Sequence, residues 1–183
     1  MTKKFIICGA GGQGVVSIGI LLANIFMMCD KYVTFSPCYG AEMRGGAVNC
    51  TVNMSDSPIY SFQTKYTDYL ISFNQASYDK FISKVAKNGF VITNSSMVEI
   101  DNNRREDVKY ISVPFSQDAS NMGNIKMANS IALGILIKIL KDIPVETVKL
   151  AYEKVAKNKK DMIAKNIEAF MFGYNIIKEG KYE

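Results

Sequence analysis

A short apolar run, Lys4 to Cys8, leads directly into Gly9-Ala10-Gly11-Gly12-Gln13-Gly14 and then into a long stretch with helical periodicity. No other feature restricts the fold as much. A strand that must turn at once into a helix needs residues without a Cβ at the corner, and the unpaired N–H groups at the start of that helix face whatever lies above the turn. The opening is therefore strand, glycine turn, helix, the first unit of an α/β domain.

The rest of the chain continues the pattern. Tyr32 to Ser36 reads as a second strand. Val48, Cys50, Val52 and Met54 alternate with Asn49, Thr51 and Asn53, as expected of a half-buried strand. Ser55-Asp56-Ser57-Pro58 signals a turn. Tyr69 to Phe73 forms another apolar run, with Asn74 placed to cap a helix over Ala76 to Ala86. Gly89 to Thr93 and Lys109 to Pro114 complete the predicted strands. From residue 115 onward the pattern is helical. Met127 to Leu140 is apolar almost all round and so predicts a buried helix. Pro144, with Glu146 in the same turn, starts a helix to about Val155 that Lys157-Asn158-Lys159-Lys160 closes, and a last helix covers Asp161 to Ile177. The expected architecture is one α/β domain over residues 1–183, a Rossmann-like three-layer α/β/α sandwich.

Composition narrows the chemistry. Histidine is absent, which removes the usual general base and every Ser-His or Cys-His pairing. Cys8, Cys29, Cys38 and Cys50 form no C-x-x-C pair and read as reduced, small buried hydrophobes. The net charge of +5 rests on lysine, with Arg44, Arg104 and Arg105 the sole arginines, and this argues against nucleic-acid binding. The apolar stretch from Val15 to Cys29 is broken by Ser17, Gly19 and Asn24, so no membrane span is expected, and the N-terminal apolar run stops at Gly9, short of a signal peptide. A cytoplasmic location follows as the expectation.

Two segments carry the candidate binding residues. Gly9, Gly11 and Gly14 fit G-x-G-x-x-G, and with Gly12 and Gln13 they either cradle a phosphate or coenzyme or merely permit a tight turn and close packing. A nicotinamide site also requires an acidic residue at the end of the second strand, where Ser36-Pro37 stands instead; Asp30 lies before that strand. The second segment runs from Ser36 through Cys38-Tyr39-Gly40-Ala41-Glu42-Met43-Arg44 to Gly45-Gly46. Arg44 is suited to gripping a carboxylate or phosphate with Glu42 fixing its orientation, or the two form a structural pair that pins the loop. Both segments follow strands, which places Gly9, Gly11, Gly12, Gln13, Gly14, Glu42, Arg44, Gly45 and Gly46 at the carboxyl edge of the sheet, where α/β proteins bind ligands. No catalytic residue and no metal ligand is assigned. Asn121, Asn124 and Asn129 are weaker candidates that serve equally as turn and cap residues, the lysines from Lys149 to Lys165 read as a solvated face or a surface for an acidic partner, and Phe26, Met27, Phe170 and Met171 read as core.

Taken together, Gly9 to Gly14 with Val15, then Tyr39-Gly40-Ala41-Glu42-Met43-Arg44-Gly45-Gly46, closely resemble the gamma subunits of 2-oxoacid:ferredoxin (acceptor) oxidoreductases. Asp68 to Ile71, Asn74-Gln75, Gly123 to Leu133, and Lys165-Asn166-Ile167-Glu168-Ala169 through Gly173-Tyr174 extend the likeness over nearly the whole chain. Ala41 departs from the proline that many members carry, which bears on the stiffness of the loop. The resemblance implies a subunit that is inactive alone. Alpha and beta partner subunits would hold thiamine diphosphate, magnesium and iron-sulfur clusters, a ferredoxin-like delta subunit would join them, and the assembly would convert a 2-oxoacid and coenzyme A to an acyl-CoA, CO2 and reduced ferredoxin. Asn74-Gln75 and the Asn166-Ile167-Glu168-Ala169 ending are more similar to the 2-oxoglutarate or branched-chain members than to the pyruvate ones, and of these the 2-oxoglutarate type, which forms succinyl-CoA, is favoured. In this reading the chain aids coenzyme A docking at the glycine turn and ties the complex together; alone, it would be free to homodimerise. The rival readings are an independent nucleotide-dependent oxidoreductase and a purely structural scaffold.

Overall fold

The computed structural model describes residues 2–40, 46–61, 65–100, 104–156 and 160–177 of the chain. Its strands are β1 (Lys3–Ala10), β2 (Tyr32–Tyr39), β3 (Ala47–Ser55), β4 (Thr67–Ser72), β5 (Val85–Asn94) and β6 (Lys109–Val113). The helices are α1 (Val15–Met28), α2 (Gln75–Phe81), α3 (Phe115–Asn121), α4 (Ala128–Leu140), α5 (Val145–Ala156) and α6 (Lys160–Ile176). The strands form one six-stranded sheet in the order β2-β3-β1-β4-β5-β6. β1, β4, β5 and β6 are parallel, while β3 runs antiparallel between β2 and β1.

Alternation along each strand sorts the core into two sides. Phe5 and Ile7 of β1, Cys50 and Val52 of β3, Ile71, Ile92 and Ile111 face the larger cluster, which α1, α3, α4, α5 and α6 cover. Ile6, Cys8, Leu70, Val91 and Tyr110 face the smaller one with Tyr78 and Phe81 of α2. The sandwich thus has three layers, the second helical layer being the thin one. Burial in both directions explains why Lys4 to Cys8 reads as a continuous apolar run instead of an alternating one.

Two close approaches set the thick layer. α1 lies on β3 at Gly19, where an added Cβ would meet the Cys50 Sγ and, at 2.9 Å, the Phe35 ring. α4 crosses α6 at a pair of glycines: a Cβ on Gly134 would strike the Phe170 carbonyl oxygen, and one on Gly173 would strike the Ile131 carbonyl oxygen. Those obstacles are backbone, which cannot swing aside. α4 itself has Ile131, Ala132, Leu133, Ile135 and Leu136 at 0% exposure, as expected for a helix apolar all round.

Several expectations are corrected. The helix expected to reach Ala86 ends at Phe81 and is followed by a 3-10 turn, Ile82–Lys84, because β5 begins at Val85, which pairs with Thr67. Arg105 holds that corner: its Nη1 donates to the Ile82 and Val85 carbonyls at 3.0 and 2.8 Å, while Nε and Nη2 grip the Asp107 carboxylate at 2.8 and 2.7 Å. Asn74 does cap α2, its Oδ1 accepting from the Ser77 N–H at 3.0 Å. Met27, read as core, is 50% exposed because it sits on the outer side of α1, whereas Phe26 and Phe170 are fully buried. The cysteines also divide. Cys8 and Cys50 are buried, Cys29 is half-buried, and Cys38 is exposed near the end of edge strand β2. Residues 157–159 of the predicted lysine-rich closure lie outside the described residues, and α6 starts at Lys160.

Gly134→Ala or Gly173→Ala should cost roughly 3 kcal/mol, at the upper end for overpacking because backbone meets backbone. That corresponds to a fall of about 6–12 °C in Tm for a chain of this size, measurable by circular dichroism. Burial pushes the Cys8 and Cys50 thiols up to about 12, so both stay protonated at neutral pH. Titration of the native chain with an aromatic disulfide reagent should therefore show one fast thiol, which Cys38→Ser removes, with Cys8 and Cys50 reacting on unfolding.

Candidate functional site

The glycine turn sits where the sheet changes direction. α1 carries the chain from β1 outward to β2 on one face, and α2 carries it from β4 to β5 on the other, so the carboxyl ends of β1 and β4 flank the topological switch point. The β2–β3 hairpin reaches the same edge, since Tyr39 pairs with Val48 and Val48 with Gly9. The two glycine-bearing segments are joined directly: the Gly11 N–H donates to the Gly46 carbonyl at 3.0 Å. Gly40 closes the base of the hairpin by donating to the Ala47 carbonyl at 2.7 Å. Glu42, Arg44 and Gly45, with Ala41 and Met43, lie outside the described residues.

The glycines of the turn do different jobs. A Cβ on Gly9 would come within 2.6 Å of Gln13 Oε1 and 2.9 Å of the Phe73 Cβ, so Gly9 is required by packing. Gly14 has φ of 77° and is overlaid by the Asn129 amide, which occupies the place of a Cβ. Gly12 has φ of 98°, and a Cβ there would meet no atom of the described residues within 4 Å. Gly11 and Gly12 are both exposed. The inner glycines thus satisfy the packing reading, and Gly12 alone combines a left-handed backbone with open space in front of it.

Gln13 fills the switch point with its own side chain. Its Oε1 accepts from the Ala10 N–H at 2.7 Å, and its Nε2 reaches the Phe73 carbonyl at 3.5 Å. Asn94, fully buried at the end of β5, donates to the same Phe73 carbonyl at 3.3 Å and to the Ser116 hydroxyl at 2.8 Å. These two amides tie β1, β4, β5 and α3 together beneath the turn. Sequence reasoning counted Gln13 among ligand contacts and did not single out Asn94; a polar residue ending an apolar strand was the available signal. Among the weaker asparagines, Asn124 caps the 3-10 turn Ile125–Met127, and Asn121 accepts from Gln117 Nε2 at 3.1 Å. Asn129 alone of the three reaches the turn.

Above this brace lies a group of free donors. The first helical bond of α1 runs from the Ile18 N–H to the Gly14 carbonyl at 3.0 Å. Among the described residues, the N–H groups of Gly12, Gly14, Val15, Val16 and Ser17 have no acceptor. α1 has neither a side-chain cap nor an acidic residue in its first turn, so the positive end of its dipole is not neutralised from within the helix. Such a surface holds an anion by backbone alone. Among the described residues no carboxylate stands at the end of the second strand, where a dinucleotide site holds the ribose: β2 ends at Tyr39, and Asp30 precedes the strand at φ of 56°. Behind it the Cys8 thiol, held protonated by burial, donates toward the Ile71 carbonyl at 3.4 Å and is no nucleophile. No group of His, Cys, Asp and Glu suited to a metal ion occurs among the described residues, and no helix there is long and apolar enough to cross a membrane.

Known proteins resemble the chain in sequence and in fold. The chain is 31% identical to the 2-oxoglutarate synthase subunit KorC of Methanocaldococcus jannaschii, over 98% of this chain and 96% of that one. The fold matches part of the 2-oxoglutarate:ferredoxin oxidoreductase of Magnetococcus marinus, solved with 2-oxoglutarate, coenzyme A and succinyl-CoA bound, with a TM-score of 0.88 at 24% identity over 98% of this chain and 32% of the longer one. It also matches the gamma subunit of a keto/oxoacid ferredoxin oxidoreductase from Geobacter sulfurreducens, with a TM-score of 0.79 at 23% identity over 94% of this chain and 96% of that subunit. The family model for pyruvate ferredoxin/flavodoxin oxidoreductase matches residues 4–176. With nearly its whole length accounted for in this way, the chain belongs to the pyruvate ferredoxin/flavodoxin oxidoreductase family.

Proposed function

We propose that the chain is the gamma-type subunit of a 2-oxoglutarate:ferredoxin oxidoreductase and that its glycine turn docks the phosphates of coenzyme A. The observation that carries the docking role is the set of N–H groups on Gly12, Gly14, Val15, Val16 and Ser17, which have no acceptor among the described residues and stand at the open end of the α1 dipole, with no described atom within 4 Å of a Cβ at Gly12. A substrate that is anionic at one end and reacts at the other suits such a site. The phosphates bind far from the reacting thiol, and that remote binding energy orients the thiol without any catalytic side chain here. Glu42, Arg44 and Gly45 lie in sequence just before Gly46, whose carbonyl accepts from Gly11, and Arg44 supplies the bidentate contact in this reading. Gln13 acts by holding the turn in shape.

Decarboxylation and electron transfer are assigned to thiamine diphosphate, magnesium and iron-sulfur clusters on alpha and beta partner subunits, with a ferredoxin-like delta subunit and ferredoxin as acceptor. Two facts support a partnered chain. In the Magnetococcus marinus enzyme the matching fold makes up about a third of one longer polypeptide, whereas in the KorC relative it is almost the entire subunit. The same domain is thus covalently joined in one case and separate in the other, so a separate copy must hold its neighbours by non-covalent contact. The 2-oxoglutarate preference rests on the KorC relatives and on the Asn74-Gln75 and Asn166-Ile167-Glu168-Ala169 segments.

Gly12→Val places a branched side chain at φ of 98°, at a strain of about 1–3 kcal/mol, and directs it into the open space. In the assembled enzyme it should raise the coenzyme A KM at least tenfold while the 2-oxoacid KM stays within twofold; unchanged coenzyme A kinetics in an intact complex would reduce the turn to a packing device. Arg44→Ala should likewise raise the coenzyme A KM or block assembly, as read by steady-state kinetics and size-exclusion chromatography. Normal values in both measurements would remove Arg44 from the site.

A further inference from the structure

The two edges of the sheet differ in what they offer another strand. At β2 the Gly40 N–H donates to the Ala47 carbonyl, so by alternation Cys38 and Ser36 turn their peptide groups toward β3, while Tyr39, Pro37 and Phe35 turn theirs outward. Pro37 has no N–H to give and interrupts that edge. At β6 the Val113 carbonyl accepts from the Ser95 N–H at 3.0 Å, which directs Val113 and Ile111 toward β5 and leaves the N–H and C=O of Tyr110 and Ser112 pointing away from it. Among the described residues these outward groups have no backbone partner. Lys109, the one charge on the strand, lies over the Phe90 ring at 5.0 Å and so does not guard the edge.

This open edge is the floor of a groove. Ser112 there is exposed, and Tyr110, whose ring is buried against α2, shares the floor with it. Ile100 and Arg104 wall the groove on the side of the thin layer, and Ile176 and Ile177 at the end of α6 wall it on the side of the thick one. Ile176 is 40% exposed, a large apolar side chain left facing solvent. Arg104 is exposed as well. Its guanidinium lies 4.7 Å over the Tyr110 ring, and among the described residues no carboxylate pairs with it. The neighbouring Arg105, by contrast, is fully engaged with Asp107 and two carbonyls.

We propose that β6 accepts an extended segment of a partner polypeptide as an added strand, with a carboxylate of that segment on Arg104 and its flanking apolar side chains against Ile176 and Ile177. Side chains of a strand alternate between the two faces, so the walls of the groove select an acidic residue between two apolar ones. Pairing with the backbone of Tyr110 and Ser112 supplies affinity, and the walls supply the sequence preference. The guanidinium fork matches a carboxylate, whereas a basic residue in that place would meet like charge. A second copy of the chain pairing edge to edge does not fit, because β6 itself, Lys109 to Val113, has no acidic residue to set against Arg104. The groove lies on the flank of the sheet and does not depend on what the glycine turn holds.

Titration of the 15N-labelled full-length chain with a short peptide, blocked at both ends and carrying glutamate between two isoleucines, tests the groove. The backbone amide signals of Tyr110 and Ser112 and the Nε–H signal of Arg104 should shift saturably. The same peptide with lysine in place of glutamate should bind at least tenfold more weakly. Arg104→Glu, a change at an exposed side chain, should invert that preference, and Ser112→Pro, which deletes an outward N–H, should abolish binding of both peptides. Either variant suffices if the other fails to fold. Absent or non-saturating shifts, equal affinity for the two peptides, or an unchanged preference in Arg104→Glu would overturn the proposal. So would binding that appears only after residues 178–183 are deleted, since the chain's own C-terminal segment would then be the occupant.

Discussion

Burial of β1 on both faces is the constraint from which the rest of the structure follows. Phe5, Ile7 and Cys8 are fully buried and Ile6 nearly so, which requires a strand on each side and a helical layer above and below. β3 and β4 supply the strands, one antiparallel and one parallel. The register fixed along β1 then decides what stands at its carboxyl end. Because Ala10 pairs with Ala47 and Cys8 with Ser72, the hairpin base and the β4–α2 corner both arrive next to the glycine turn. A slip of one residue would turn Ile6 and Cys8 toward α1 and separate these parts.

The turn built on that strand is divided between support and exposure. Gly9, Gly14, Gln13 and Asn94 are taken up in packing and bracing, so they form the floor of the turn. Gly12 and the start of α1 present backbone donors that have no acceptor among the described residues. Backbone donors of this kind suit an anion, and among the described residues no cluster suited to a metal ion accompanies them.

Much of this arrangement was legible beforehand, and the reasons differ by element. All the predicted strands are present, because alternating or continuous apolar runs bounded by Gly, Pro and Asn leave few other options over such short lengths. The α1 and α4 helices were readable from length and apolarity. The end of α2 was not, because it is set by Arg105, more than twenty residues downstream, whose guanidinium collects the Ile82 and Val85 carbonyls. The exposures of Met27 and Cys38 were misread for a related reason: composition reports that a residue is apolar, whereas its side of the helix or its place on an edge strand is decided by neighbours.

The sequence by itself determined the order of elements, the strand–turn–helix opening, the chemistry excluded by the lack of histidine, and the placement of both glycine segments after strands. These are local properties, set by propensity, periodicity and the steric freedom of glycine. Only the tertiary structure decided that β3 inserts antiparallel between β2 and β1, that Gly9 and Gly14 are packing residues while Gly12 faces open space, and that Gln13 is consumed as a brace. Those outcomes depend on which atoms lie within a few ångströms across separations of tens of residues, and chain order carries no record of such distances.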